Sequence, residues 1–194
     1  NSINKAEFDK DEKGGILFIP IIRGVNWARF NPRNEADPLF DKAYEAGQVI
    51  WRSKDPRDPL VVEQGHFGKN GEKPLATKFI NFLSLFPGSR PDVLVLSFSK
   101  TSFKAGKELT TILQFAEEGD IFDFKFRLFA KKEQNKAKQQ YYVLAVEEAG
   151  KPTDEERAKA EGYYNNFSGK ELVVDETETD PEAETQGAES NVPW

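Results

Sequence analysis

Residues 121–142 place six bases (Lys125, Arg127, Lys131, Lys132, Lys136, Lys138) against two acids, Asp123 and Glu133, interleaved with Phe122, Phe124, Phe126, Phe129, Tyr141 and Tyr142. Cations hold phosphates and exposed rings stack on nucleobases, each stack being worth roughly 1–3 kcal/mol. Three further clusters mix the same residue types: Trp27, Arg29, Phe30 and Arg33; Trp51-Arg52 followed by Lys54 and Arg57; and "SFSKTSFKAGK", with Lys100, Lys104 and Lys107 around Phe98 and Phe103. Each has a plainer reading as well. Trp51 suits a core position, Phe129 suits a place under a helix, and Phe103 suits a helix anchor.

The residues that covalent or metal chemistry needs are scarce. The chain has no cysteine and one histidine, His66, which excludes disulfides, thiolate metal sites and Cys-His dyads. No Walker A loop, dinucleotide-binding glycine motif, nucleophile elbow or HExxH helix is present. "AGKELTT" at 105–111 lacks the leading glycine of a phosphate loop and lies in a helical pattern. The chemistry therefore points to a non-enzymatic binding protein with no cofactor and no metal.

The 194 residues carry 33 acids and 27 bases, a net charge of −6. Eight of the acids lie at 171–194, where there is no base, leaving 25 acids against 27 bases in residues 1–170. A body near +2 thus carries an acidic segment of −8. That segment has too little apolar content to offset its ordering entropy and is expected to be disordered. Its only large aromatic residue is the last one, Trp194. No run approaches the length of a membrane span, and a soluble intracellular protein is expected. The absence of methionine and the initial Asn suggest a start lost upstream.

"GILFIPIIR" from Gly15 reads as a strand interrupted by Pro20, and "GVNWARFNPRNEADPLF" as a long loop. "QVIWRS", "LVVEQGHF", "ATKFINFLSLF" and "DVLVLSFSK" read as strands, with a hairpin turn at 68–74. Ala105, Leu109, Ile112, Leu113 and Ala116 share one face of a helix capped by Thr101 or Ser102 and stopped at Gly119. "IFDFKFRLFA" alternates, placing Phe122, Phe124 and Phe126 inside and Lys125, Arg127 and Phe129 outside. "KKEQNKAKQQ" reads as a flexible basic link to the strand "YYVLAVEEA". A Thr153-x-x-Glu156 capping box opens a last helix that Gly169 closes. The expected architecture is mainly β: an OB-fold-like small closed barrel with one inserted helix and a C-terminal helix over residues 1–170, then the acidic segment 171–194.

Aromatic and basic strands, a helix before the "IFDFKFRLF" strand, a late helix and an acidic segment ending in an aromatic residue resemble the single-stranded DNA-binding proteins of tailed bacteriophages. "VVEQGHFGKNGEKPLATKFINFLSLF" and "DVLVLSFSKTSFKAGKELTTIL" are similar to the same group, and the likeness spans roughly residues 48–194. The zinc-binding Cys/His set of some members is missing, and the tail is less densely acidic than is usual there. The resemblance implies sequence-tolerant binding of single-stranded DNA in phage replication, recombination and repair, in the cytoplasm of the infected host. The DNA-binding residues expected are Trp27, Arg29, Phe30, Trp51, Arg52, Lys100, Lys104, Lys107, Lys125, Arg127, Phe129, Lys131, Lys132 and Tyr142. The tail residues Asp175, Glu176, Glu178, Asp180, Glu182, Glu184, Glu189 and Trp194 would compete with DNA and recruit a polymerase or helicase. A homodimer is compatible with these features. Two other classes stay open: a regulator whose acidic arm binds a basic host protein, and a β-sandwich virion protein.

Overall fold

A computed structural model describes residues 8, 10–69, 71–115, 119–134 and 138–170. The first strand, β1 (Ile16–Phe30), pairs antiparallel with β2 (Val49–Ser53), β3 (Thr77–Leu85) and β5 (Phe126–Gln134). With β4 (Val93–Phe98) beside β3 and β6 (Gln140–Glu148) beside β5, the order is β4-β3-β1-β5-β6, and β2 flanks β1. Helix α1 (Pro59–Gln64) follows β2, α2 (Phe103–Phe115) lies between β4 and β5, and α3 (Asp154–Phe167) ends the described body. Among the described residues no helix is long and apolar enough to cross a membrane.

The closed barrel expected above is not what forms. Among the described residues β4 and β6 do not pair, so the six-stranded antiparallel sheet stays open. The α2 helix and the 3-10 turn Lys100–Ser102 before it contact β6, while α2 also contacts β4, so that the helix fills the seam. Gly106 makes this possible: a Cβ there would stand 2.6 Å from Cβ of the buried Phe98.

The sheet buries both faces. Phe18, Ile80, Phe82, Phe98 and Phe126 form one core with Ala105 and Leu109 of α2. Ile19, Ile21, Leu83, Leu85 and Phe122 form the other with Ala160 of α3. Two-sided burial explains why β3 is buried without interruption from Phe79 to Leu85, Asn81 and Ser84 included, rather than on alternate residues.

Several local expectations change. Pro20 does not end β1, because the register shifts between Pro20 and Ile22 and absorbs the missing N–H in a bulge. The strand therefore continues through Trp27 to Phe30, where a loop was expected. "LVVEQ" is helical, since Asp58 accepts from the Leu60 N–H and Pro59 begins the first turn. The segment after it is thus no β-hairpin. Helix α2 starts at Phe103, directly after the cap candidate Ser102, and is preceded by the 3-10 turn Lys100–Ser102; Ala116 lies outside the described residues. Ile121–Asp123 is a 3-10 turn, so β5 begins only at Phe126. Among its described residues the basic link is mostly strand, continuing β5 to Gln134 and resuming as β6 at Gln140. The Thr153/Glu156 capping box on α3 forms as expected.

Candidate nucleic-acid interface

Lys104 and Lys107 project from the exposed side of α2, opposite the apolar face that seats the helix on the sheet. With Lys100, Phe103, Ile112 and Val146 they line a groove of about 710 Å³. A second recess, about 320 Å³, lies between α2 and the β5–β6 hairpin and is lined by Lys104, Ala105, Lys131, Tyr141, Val143 and Leu144, among others. The two share Lys104 and Glu108. Together they form a basic channel with an apolar floor along the open seam of the sheet.

Four lysines and two acids, Glu108 and Glu133, line the channel. Lys104 and Glu108 stand 4.0 Å apart and Lys131 and Glu133 3.9 Å apart, all at solvent-exposed or half-exposed positions where such pairs contribute little. Tyr141, 41 % exposed, donates its hydroxyl to Glu133 at 3.3 Å. Lys132 and Tyr142 are cross-strand partners, so they share the opposite face of the hairpin, where Tyr142 is 68 % exposed. Phe129 is half-buried on the Lys131 side.

Lys125 and Arg127 do not join this channel. Lys125 is 2.5 Å from Glu156 of α3, with its side chain only 13 % exposed. Arg127 is bound by Asp11 and Glu147 and is equally withdrawn. Arg127 alternates away from the core along β5 and Lys125 lies just ahead of the strand, but acids distant in sequence meet both. Neither cation is available to a phosphate.

The first two aromatic clusters meet at the other end of β1. Arg29 and Trp51 are register partners on β1 and β2, and both donate to Gln64 Oε1 of α1, each at 3.1 Å. Arg52 and Phe30 are half-buried, and the Phe30 ring packs edge-on against Phe79 at 6.2 Å. Trp27 is buried at 5 % exposure beneath α1, with Lys78 Nζ 4.9 Å from its ring centroid. As a strand residue it faces the interior, which removes it as a stacking platform. Tyr141 was read as part of the 121–142 cluster, but Gln64 and Glu108 were not singled out from the sequence. Only Glu108 had a readable signal, four residues after Lys104.

The expected tail residues Asp175, Glu176, Glu178, Asp180, Glu182, Glu184, Glu189 and Trp194 lie outside the described residues. No curated protein and no solved structure matches the chain. A family model does match, and it takes in the whole sheet and all three helices while stopping short of Asp175. By that match, over residues 1–173, the chain belongs to the family described as Pam3 phage gp34-like protein.

Proposed function

We propose that this phage protein is a non-enzymatic, sequence-tolerant single-stranded DNA-binding protein serving DNA replication, recombination and repair. The observation that carries the reading is the channel along α2. It gathers Lys100, Lys104, Lys107 and Lys131 around an apolar floor, with Tyr141 at its wall. A single strand has the complementary form: phosphates for the lysines, and bases for the rings and the apolar floor. The strand order, with a helix between β4 and β5, supports an OB-type arrangement left open at its last seam. The working set is Lys100, Lys104, Lys107, Lys131 and Tyr141, with Phe129 on the Lys131 side of β5; Lys132 and Tyr142 on the opposite face of the hairpin, and Arg29, Phe30, Trp51 and Arg52 at the far end of β1, are secondary surfaces. The segment 171–194, carrying eight acids, competes with DNA for the same lysines and engages a replication partner through Trp194.

Titration of the full chain with oligo-dT at several salt concentrations tests this. Four phosphate contacts predict a log-log slope of about −3. Absence of binding, or affinity indifferent to salt, rejects the reading and leaves the protein-interaction and virion classes.

A further inference from the structure

Resting on that reading of the channel, we infer that Lys100 is its fixed phosphate anchor, aimed by a backbone conformation that disfavours lysine. Lys100 has φ +45°, and among the described residues only Lys138 shares a positive φ without being glycine. An L-residue with a Cβ is strained in this region and glycine is not. Such strain persists only where neighbours over-determine it. They do so at Lys100. The Ser99 N–H donates to Ser102 Oγ at 2.9 Å, and the Ser102 hydroxyl and N–H donate back to the Ser99 carbonyl at 2.8 and 2.9 Å. The backbone N–H of Phe103 then donates to the Lys100 carbonyl.

The fold gains nothing visible from a lysine here. Among the described residues no acid pairs with Lys100, its side chain is exposed, and no hydrophobic cluster includes it. What the side chain does is line the channel beside Lys104 and Lys107 of α2. Lys104 and Lys107 ride on a regular helix, where Lys104 faces Glu108. Lys100 instead leaves a clamped turn whose backbone sets the direction of its Cα–Cβ bond toward the groove that its side chain lines.

The test compares Lys100→Gly and Lys100→Arg with the wild type, in the full chain. Glycine relieves the strain and removes the cation, so stability and binding should move in opposite directions. Lys100→Gly should melt about 2–4 °C higher. It should also bind oligo-dT several-fold more weakly at low salt, with the salt slope shallower by roughly 0.7. Lys100→Arg should keep the wild-type melting temperature, affinity and slope. A lower melting temperature for Lys100→Gly, or an affinity and slope equal to the wild type's, overturns the assignment while leaving the channel reading intact. If the wild type itself ignores oligo-dT, both fall.

Discussion

Lys125 Nζ lies 2.5 Å from Glu156 Oε2, and this ion pair ties the start of β5 to the first turn of α3. Glu156 also completes the capping box, accepting from the Thr153 N–H at 2.8 Å. One carboxylate therefore fixes both the helix end and its seat on the sheet. Arg157 adds a second tether at 2.5 Å to Asp123, and Lys159 a third at 2.5 Å to Asp92. A Lys125→Met exchange keeps the aliphatic stem but leaves the carboxylate short of a partner. It should cost about 1.5–3 kcal/mol in chemical denaturation. Oligo-dT affinity should stay at the wild-type level, since this lysine does not reach the channel. A large loss of affinity in a folded Lys125→Met protein would place the DNA path elsewhere.

Acid should loosen the same contacts. Burial opposes the charged form of Glu156, but hydrogen bonds from Lys125 and Thr153 outweigh it and hold the carboxyl below its ordinary value. Asp11 and Asp123 are lowered likewise: desolvation works against each charge, while backbone N–H groups and their arginines favour it more strongly. A carboxylate depressed in the folded state contributes stability above its unfolded pKa, about 3.9 for Asp and 4.3 for Glu, and loses it as pH falls through the folded value. Stability should be level from about pH 7 to 5 and decline below about pH 4. Denaturation midpoints across that range check it; a midpoint that rises on acidification contradicts the ion-pair account.

Gly106→Ala should destabilise, against the helix propensity scale. Alanine in a helix interior ordinarily gains about 1 kcal/mol over glycine. Here the new methyl would meet Phe98 Cβ at 2.6 Å, on a ring with no exposed surface. Either α2 moves off β4 or the ring leaves its rotamer, and overpacking of this kind costs about 1–3 kcal/mol. Because α2 carries the lysines, a shift of the helix should also weaken oligo-dT binding. A Tm at or above that of the wild type would mean that the helix does not seat this closely.

Much of this fold is legible from local signals. The α3 capping box and the apolar face of α2 are encoded within a few residues, and both form where they were read. The failures share a cause, which is that the deciding partner is remote. Val61-Val62 suggests a strand until Asp58 and Pro59 are recognised as a helix start. Pro20 suggests an interruption until β3 is seen to accommodate a bulge opposite it. Alternation gives the face of Arg127 but not Asp11, 116 residues away, which occupies that face. The lysines of α2 were readable because their spacing is local; the channel was not, because its other wall comes from β5 and β6.

Removing the acidic segment should strengthen DNA binding. Residues 171–194 hold eight acids and no base, joined to the body directly after Lys170. A tethered polyanion competes at an effective concentration on the order of millimolar. It should thus oppose weak ligands strongly and DNA only partly. A chain ending at Gly169 should bind oligo-dT more tightly at low salt. The difference should shrink as salt rises, because both the tail and the strand release counterions from the same lysines. Substituting Trp194→Ala should leave that DNA affinity unchanged, since the acids and not the ring oppose the strand. Equal affinities for the full and shortened chains at low salt would separate the tail from the channel and confine it to partner binding.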